Sequence, residues 1–449
     1  MPGLTAALGE FVAALEQVPA AAAATAQMGI VDAFGVMLAA RHEPVVRAVR
    51  ADSAPGGPCS VLLRAAQAAP AAAAMINATA AHAFAMDDVA AGCHPSTLLM
   101  PALIACGEAQ GASGAAVLRA YVAGYEVLAE LAAREPDSLH ATGWHPTGLL
   151  GPVAVAAAVA NLARFSAAQC AHAIGIAASM SGGLQGNFGT QTKALHAGRA
   201  ASAGVTAARL AAAGVTAAGD ILEGPKGLLR TISPAGRARV DGAIACTRTH
   251  LRIVTDGLSI KKYPLCYTTH RIVDAALGIH AAPGFDCTQV RRIDVSIGAR
   301  QAAMAHHHRP RNALEAKYSV EFAVAGALDA GAAGFAQLRD DFVTSIEVLR
   351  LIEVTHIELR TDASADDPVF ASADRVVVRM ADGSLHDSGD VAFARGHARL
   401  PVAPDALRRK FLDCAGHGGY APAPALFELL ENLADIADVR SLAQQSAGA

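Results

Sequence analysis

The sequence predicts a mostly α-helical protein in which a large helical domain is interrupted by a smaller α+β lid domain. Its 449 residues exceed the roughly 250–300 residues at which one hydrophobic core usually stops growing. Apolar residues follow a helical period over the first half of the chain, and this period gives way to alternation between residues 257 and 398. We therefore expect a helical domain made of residues 1–256 and 399–449, and a lid made of residues 257–398.

The helical domain is predicted from apolar residues that recur at i, i+3, i+4 and i+7 in segments such as AATAQMGIVDAFGVMLAARH and AAVLRAYVAGYEVLAELAARE. Alanine recurs in runs; it is the best helix former, and its small side chain lets helices pack closely. Ser113 and Ser166 precede two of these segments and are predicted to cap their helices. No convincing strand interrupts residues 4–256, so we expect this domain to be all-helical.

The lid is predicted from short alternating segments that lie between helical ones. RRIDVSIGA places two isoleucines and a valine on one face, and THIELRT does the same with Ile357 and Leu359. Asp382-Gly383 lies between RVVVRM and LHDSG and is typical of a hairpin turn. Beyond Pro401 the helical period returns, and we expect this tail to pack back on the helical domain.

The composition limits the classes of function. Hydrophobic residues make up 53% of the chain and charged residues 17%, which is typical of a folded protein and not of a disordered one. The 36 basic and 40 acidic residues give a net charge of −4 and form no basic stripe, so nucleic-acid binding is not expected. A small anionic substrate is compatible with this balance, because its site needs only a few converging cations.

Neither export nor a membrane span is predicted. The segment MPGLTAALGEFVAALEQ has no basic stretch before an apolar one, so it does not resemble a signal peptide. The longest uncharged stretch, residues 165–192, is rich in polar residues and glycine, which suit a span poorly. The eight cysteines form no C-x-x-C pair, which disfavours zinc ribbons and disulfide scaffolds. We expect a cytoplasmic protein.

Two adjacent carboxylates and two histidines lie in ATAAHAFAMDDVAAGCHPSTLLMPAL, just before an apolar helix; they are His82, Asp87, Asp88 and His94. A helix N-terminus attracts anions, and histidine is the side chain most readily tuned for proton transfer near neutral pH. Local capping or salt bridging by the two aspartates explains this segment equally well.

Two further segments offer histidine and lysine. His145 lies in HPTGLLGP, a second His-Pro turn, where a buried histidine bonded to backbone is the simpler alternative. GTQTKALHAGRAA places Lys193 and His196 three residues apart, so that one helical face would carry both. The glycines before this lysine lack the spacing of a Rossmann fingerprint or a P-loop, so no nucleotide cofactor is expected.

The proposed start of the lid contains Lys261, Lys262 and Tyr263 in IKKYP. Paired lysines are usually solvated, but these lie between an apolar segment and a proline turn, where a partly buried lysine can hold a carboxylate. Three consecutive histidines at 306–308 cannot all face one metal ion on regular structure. A mobile loop whose arginines, Arg309 and Arg311, contact an anion or a partner subunit is the preferred interpretation.

Six blocks, in their order along the chain, resemble the MmgE/PrpD family: AHAFAMDDVAAGCHPSTLLMPALIA, YVAGYEVLAEL, HPTGLLGP, GTQTKALHAGRAA, IKKYP with TTHRIVDAAL, and AKYSVEFAVAGAL. Its members include 2-methylcitrate dehydratase, cis-aconitate decarboxylase and iminodisuccinate epimerase. The resemblance implies a helical domain interrupted by an α+β lid, a homodimer, an active site in the cleft between the domains, and no metal or organic cofactor.

The resemblance also implies which residues form the site. The catalytic candidates are His94, His145, Lys193, Lys261 and Asp88. The substrate-binding candidates are Asp87, His196, Lys262, Tyr263 and Phe322. The chain departs from the D-F-[DN]-D-T pattern of dehydratases and decarboxylases at Ala85 and Val89, and it has Phe322 where decarboxylases carry a tyrosine.

The chemistry that the resemblance implies makes or breaks bonds at a carbon next to a carboxylate. This needs cations to stabilise an aci-carboxylate-like intermediate and a base to take the α-proton. We expect the two lysines to clamp carboxylates, His94 and His145 to exchange protons, and Asp88 to orient a histidine or act as a secondary base. The predicted function is a cofactor-independent dehydratase of a small hydroxy-polycarboxylate. The alternatives are an epimerase of a substituted succinate, a decarboxylase, and a non-catalytic metabolite-binding relative.

Overall fold

A computed structural model describes residues 3–365, 367 and 369–444. The protein is mostly helical and has one small mixed sheet of four strands, which confirms the predicted fold class. Within the described residues the chain forms two compact units. Unit 1 comprises the chain up to Gly186, Thr192–Ser259 and the chain from Ala403 onward, and unit 2 comprises Asn187–Gln191 and Ile260–Val402.

The elements of unit 1 before residue 260 are α1 (Leu4–Ala14), α2 (Ala20–Ala39), α3 (Pro44–Asp52), β1 (Cys59–Val61), β2 (Arg64–Ala68), α4 (Pro70–Ala83), α5 (Pro95–Gln110), α6 (Gly114–Arg134), α7 (Pro146–Leu162), α8 (Ala167–Ala178), α9 (Thr192–Ala212), α10 (Leu228–Ile232) and α11 (Arg252–Thr255). The elements of unit 2 are α12 (His270–His280), β3 (Val290–Gly298), α13 (Ala299–Met304), α14 (Ala313–Ala316), α15 (Val320–Ala330), α16 (Asp340–Val343), α17 (Ile346–Glu353), β4 (Thr355–Arg360), β5 (Arg375–Met380) and β6 (Leu385–Asp387). Unit 1 ends with α18 (Pro404–His417), α19 (Ala423–Glu431) and α20 (Ser441–Gln444).

Helix α7 is the centre of unit 1, because every one of its residues is buried. It packs against α5, α6, α8 and α9, and its small side chains let these helices approach closely. At Gly204 of α9 an added Cβ would lie 2.4 Å from the Cβ of Val155 in α7. The alanine and glycine content of the sequence therefore serves tight helix packing.

The helix starts follow the capping chemistry that the sequence predicts. Ser113 accepts a hydrogen bond from the backbone N–H of Ala116 at 3.2 Å. Ser166 accepts one from the N–H of Gln169 at 3.3 Å, and the Gln169 side chain accepts the N–H of Ser166 in return, which completes a capping box. Both predicted N-caps are confirmed.

Unit 1 is not all-helical as predicted, because β1 and β2 form a short antiparallel hairpin. The two residues of its turn, Leu62 and Leu63, both have a left-handed backbone, with φ of 55° and 56°. Each leucine is only 2% exposed, so burial of two apolar side chains offsets this unfavourable conformation. The hairpin escapes sequence analysis because its strands are short and its turn lacks the usual Asn-Gly or Asp-Gly signal.

Helix α2 is long and apolar enough to cross a membrane by length and composition alone. However, 67% of its most apolar window is buried inside the structure, and it packs against α4, α5 and α18. This burial is typical of a core helix.

The sheet of unit 2 has the strand order β4-β3-β5-β6, with β3 parallel to β4 and antiparallel to β5. The two isoleucines and the valine of β3 are fully buried, and the predicted hairpin joins β5 to β6 around Gly383, whose φ is 87°. Leu359 is 56% exposed and so departs from the predicted apolar face. Strand β4 lies at the edge of the sheet, where a side chain has fewer neighbours to cover it.

Candidate active site

The loop between α4 and α5 brings His82 and His94 to one carboxylate. His82 lies in the last turn of α4, and His94 is the N-cap residue of α5, followed by Pro95 at the first helical position. The Asp87 Oδ2 atom lies 2.9 Å from His82 Nδ1 and 3.0 Å from His94 Nδ1. The two imidazole rings are 4.7 Å apart between centroids. Asp87 is therefore shared by two histidines.

The contacts of Asp87 determine which ring nitrogen of each imidazole carries the proton. His94 Nδ1 lies near two acceptors, the Asp87 carboxylate and the backbone carbonyl of Asp88 at 2.8 Å. A nitrogen that faces only acceptors must donate, so in the neutral ring the lone pair is at Nε2. The same argument places the proton of His82 on Nδ1. Both rings thus offer a basic Nε2.

A second pair of histidines lies next to the first pair. His145 is the N-cap residue of α7, and its Nδ1 lies 3.0 Å from Nδ1 of His196 on α9. The His145 ring stacks on His82 at 5.6 Å and lies 6.3 Å from His94. We call His82, His94, His145 and His196 the imidazole cluster. Asp87 is fully buried, and His94 is the most accessible member of the group around it, with a side chain 14% exposed.

Lys193 supplies a positive charge to the imidazole cluster. It is 5% exposed and lies in the first turn of α9, and its charge acts on His82, His145 and His196. Lys193, His94 and His145 thus come from the N-terminal ends of three helices, whose backbone dipoles also favour a negative ligand. The arrangement is suited to an organic anion.

Burial keeps His82, His145 and His196 neutral near pH 7. Burial lowers the pKa of His82 well below its ordinary value of 6.5; Asp87 opposes this effect and Lys193 adds to it. Burial and then Lys193 lower the pKa of His145 in the same direction. The same two causes lower the pKa of His196 to about 4, and that of the neighbouring His140 to about 4. Neutral imidazoles can accept protons, which is what a base must do.

The cluster also resembles a set of metal ligands, since one ring nitrogen each of His82, His94 and His145 lie within 4.8 Å of one another. The nearby Lys193 charge opposes a cation at this position and favours an anion. A second group, Cys287, Asp329 and Glu347, has the same spacing. There Arg350 already pairs with Glu347, so the negative charge is compensated.

Asp88 occupies a different environment from Asp87. Its carboxylate accepts the backbone N–H of Ser96 at 3.1 Å and the Ser96 hydroxyl at 2.7 Å, and it contacts no imidazole among the described residues. Only its backbone carbonyl reaches His94. The carboxylate that contacts the imidazoles is therefore that of Asp87, and a role of the Asp88 side chain in orienting a histidine or acting as a secondary base stays a prediction. Burial raises the pKa of Asp88 to about 8, so this side chain is protonated at neutral pH.

Replacing Asp88 with asparagine is expected to stabilise the protein above pH 5. The raised pKa means that the folded state keeps a proton that the unfolded chain releases between about pH 4 and pH 8, so stability from this group is lost as pH rises. Asparagine does not titrate. We therefore expect the unfolding free energy of Asp88→Asn, relative to that of the wild type, to be about 2–5 kcal/mol higher at pH 8 than at pH 4. Urea unfolding at several pH values measures this.

The control for this prediction is Asp382→Asn, which removes an exposed carboxylate whose pKa is lowered by its bonds to Ser384. A carboxylate whose pKa is lowered in the folded protein stabilises the fold at every pH above its ordinary pKa. Asp382→Asn should therefore lose a little stability at neutral pH. An Asp88→Asn variant whose stability falls toward pH 8 as steeply as that of the wild type would contradict a protonated Asp88.

The remaining predicted site residues belong to unit 2. Lys261 is 1% exposed, and Tyr263 donates its hydroxyl to Asp274 at 2.6 Å and accepts a bond from Arg395 at 2.9 Å. Tyr263 thus serves a local polar network. Phe322 is 3% exposed and lines a small apolar cavity with Pro264, Leu265 and Leu338. Lys262 is half-buried. That these four residues act together with the imidazole cluster stays a prediction.

The histidine run at 306–308 makes its contacts within unit 2, and the contact of its arginines with an anion or a partner subunit stays a prediction. The N–H of His307 donates to the Tyr318 carbonyl at 2.9 Å, and His308 Nδ1 lies 2.7 Å from Glu321. The two arginines beside the run face glutamates: Arg309 lies 3.6 Å from Glu353, and Arg311 lies 2.6 Å from Glu315. These glutamates already compensate the arginines.

His82 is the residue that the sequence-based list of site residues omits. It is 1% exposed and bonded to Asp87, and its Nε2 is buried without a hydrogen-bond partner among the described residues. A buried imidazole nitrogen without a partner is costly to the folded protein, so this nitrogen adds His82 to the candidate site. The signal in the sequence is its position five residues before Asp87, which is too weak to separate it from a core histidine.

Comparison with known proteins accounts for both parts of the chain. Residues 6–240 match the MmgE/PrpD N-terminal domain, and residues 263–430 match the MmgE/PrpD C-terminal domain. The human cis-aconitate decarboxylase is 27% identical over 387 residues, covering 82% of this chain and 78% of the relative. The mouse protein of the same name is 26% identical over 360 residues, covering 76% and 71%. The cis-aconitate decarboxylase-like protein oryM of Aspergillus oryzae is 33% identical over 196 residues, covering 40% and 41%. The chain belongs to the MmgE/PrpD family.

Proposed function

We propose that this protein is a cofactor-independent lyase that dehydrates a small hydroxy-polycarboxylate of the citrate class. The observation that carries the proposal is the imidazole cluster itself: His82 and His94 share the buried Asp87 carboxylate, and the charge of Lys193 acts on His82, His145 and His196. Family membership supports a substrate of this class, since relatives are named for cis-aconitate, a tricarboxylate.

In the proposed reaction, Lys193 and the helix N-termini hold a carboxylate of the substrate. They stabilise the charge that develops on this group when the neighbouring carbon loses its proton. His94 Nε2 takes that proton, because this ring is the most accessible of those bonded to Asp87. The Asp87 carboxylate stabilises the imidazolium that forms, in the way that a buried aspartate supports a catalytic histidine elsewhere.

The departing hydroxyl needs a proton, and we assign its delivery to His145. Burial and the Lys193 charge lower the pKa of this imidazole in the ligand-free protein, and the negative charge of a bound polyanion acts in the opposite direction and raises it. His196, in contact through Nδ1, relays the proton. One C–H bond and one C–O bond break, a carbon–carbon double bond forms, and water leaves.

The proposal extends to unit 2 and to assembly. We propose that the buried Lys261 supplies a second cationic clamp for the substrate, and that the protein acts in the cytoplasm as a homodimer. Size-exclusion chromatography with light scattering measures the assembly state, and a monomer at assay concentrations would contradict the last point.

Epimerisation of a substituted succinate is the second candidate. Ala85 and Val89 replace the acid and the threonine that dehydratases and decarboxylases carry, which removes polar groups near Asp87. A two-base reaction at one carbon needs imidazoles on opposite faces and no acid for a leaving hydroxyl. Decarboxylation, the reaction in the names of the relatives, is the third candidate, and Phe322 in place of a tyrosine counts against it.

One panel of assays separates these candidates. The purified protein is incubated in D₂O with citrate, 2-methylcitrate, cis-aconitate and substituted succinates, and products are followed by proton NMR and by alkene absorbance. Dehydration gives an alkene from a hydroxy acid. Epimerisation gives deuterium at the α-carbon without an alkene, and decarboxylation gives carbon dioxide from cis-aconitate. Tight binding without any of these changes would refute enzymatic function in favour of a metabolite-binding protein.

The alkaline limb of the pH profile of kcat/KM, which reports ionisations of the ligand-free protein, is expected at lower pH than an ordinary histidine would give. Burial and the Lys193 charge lower the pKa of His145, the proposed acid, and lower the pKa of its relay His196 to about 4, so this pair loses its proton early as the pH rises. An alkaline limb centred above 6.5 would contradict the assignment of the acid to His145.

A further inference from the structure

Lys410 of α18 reaches the loop that carries Asp87, although it lies more than 300 positions later in the sequence. Its ammonium group donates to the Met86 carbonyl oxygen at 2.8 Å and also pairs with the Asp32 carboxylate of α2. The side chains of Lys410 and Asp32 are 9% and 1% exposed. Met86 is the residue immediately before Asp87, so this buried cation holds the backbone next to the shared carboxylate.

The loop needs such support because its backbone is strained. Ala85, the residue before Met86, has a φ of 53°, a left-handed conformation that a residue with a Cβ adopts only when its surroundings enforce it. The N–H of Ala85 bonds the His82 carbonyl at 3.3 Å on one side of this turn. Lys410 holds the carbonyl on the other side. Together they fix the direction in which Asp87 leaves the turn.

We propose that Lys410 is a positioning residue for the candidate active site. By holding the Met86 carbonyl, it keeps the Asp87 carboxylate between His82 and His94, and so it sets the proton affinity of both imidazoles. The C-terminal segment, which follows unit 2 in the sequence, thereby contributes to the site. This inference rests on the proposed function for its activity measurement only.

The geometry distinguishes this role from a purely stabilising ion pair. The Asp32 carboxylate alone would compensate the charge of Lys410. The ammonium nevertheless also donates a hydrogen bond to the Met86 carbonyl of the loop, which an ion pair within the helices would not need. A misplacement of a catalytic group by about 1 Å can lower a rate by about 10²-fold. We therefore expect loss of the Lys410–Met86 bond to lower kcat by about 10–100-fold, with KM changed less than about threefold.

The test uses the double variant Lys410→Met/Asp32→Asn, which removes the loop contact without leaving a buried charge unpaired. Lys410→Met alone leaves Asp32 uncompensated and is destabilised for that reason. Lys410→Arg restores a cation and is expected to recover most of kcat. Arg409→Met, on the neighbouring exposed position of α18, is the matched control and should behave as the wild type.

A spectroscopic measurement makes the inference independent of turnover. The imidazole signals of His82 and His94, assigned through single histidine variants, are titrated by carbon-13 NMR in the ligand-free protein. Because the Asp87 carboxylate raises the proton affinity of His82, its displacement in the double variant should move the His82 titration to lower pH. Arg409→Met should leave it in place.

The outcomes separate the two claims. If the wild type transforms none of the acids in the panel, the proposed function fails, and the NMR titration still decides the role of Lys410. If the double variant folds and both its kcat and its His82 and His94 titrations match those of Arg409→Met, the positioning role is overturned. If the double variant does not fold, the same comparison is made with Lys410→Leu/Asp32→Asn, in which a shorter apolar side chain also removes the loop contact; a kcat and titrations that match those of Arg409→Met there overturn the inference.

Discussion

Replacing Lys193 with methionine is expected to lower kcat/KM by about 10³-fold on the substrate that the wild type uses. Lys193 is buried in the first turn of α9, and its charge acts on three members of the imidazole cluster. In the proposed mechanism it stabilises the charge that grows on the substrate carboxylate in the transition state. Methionine has a similar length and no charge, so the fold should be retained while this stabilisation is lost. Steady-state kinetics with the active acid of the panel measure the effect.

The same substitution has a second consequence. Because the Lys193 charge lowers the pKa of His145 and His196, its removal should move the alkaline limb of the pH profile to higher pH. The matched control is Lys226→Met, which removes an exposed lysine of unit 1. Lys193→Met with the kinetic constants of Lys226→Met would mean that the cation of the site lies elsewhere.

Replacing Arg134 with methionine is expected to lower the free energy of unfolding by about 3–5 kcal/mol. The Arg134 Nε atom bonds Glu130 at 2.8 Å, and the two side chains are only 6% and 4% exposed. Its guanidinium also donates to the carbonyls of four residues in an irregular segment: Arg239, Asp241, Gly242 and Ala243. Loss of this cation leaves a buried carboxylate uncompensated and the segment without its anchor. Urea unfolding followed by circular dichroism measures the loss.

Two variants test the physical cause of that loss. Arg164→Met breaks an exposed pair with Glu16, whose side chains are 47% and 71% exposed, and should cost less than about 1 kcal/mol. Glu130→Gln/Arg134→Met removes the uncompensated charge and should be more stable than Arg134→Met alone. Equal losses in Arg134→Met and Arg164→Met would show that burial does not determine the strength of this pair.

Local chemistry made much of the fold predictable. Ser113 and Ser166 cap helices because the serine hydroxyl before a helix accepts a backbone N–H of its first turn. Gly383 indicates a hairpin because its turn requires a positive φ. The β1–β2 hairpin was not predictable in this way. The conformation of Leu62 and Leu63 is enforced by burial, and burial depends on residues distant in sequence.

The candidate site shows the same division. Three of its residues are recognisable from local sequence alone. Proline after His94 and His145 indicates the start of a helix, and Lys193 is a single charge in a region otherwise nearly free of charged residues. No local sequence pattern indicates that Asp87 contacts the imidazoles whereas Asp88 contacts Ser96. Neighbouring side chains of a loop point in different directions, and which of the two carboxylates contacts the imidazoles depends on the backbone of this loop, including the left-handed conformation of Ala85.

A crystal structure with a bound, slowly reacting polycarboxylate tests the central claim most directly, because it shows which groups surround the anion. The expected result is a ligand carboxylate within hydrogen-bond distance of the Lys193 ammonium, with the carbon next to it facing Nε2 of His94 and the His145 ring nearby. A well-ordered polycarboxylate bound elsewhere, with Lys193 and the imidazole cluster unchanged from the ligand-free protein, would contradict the account.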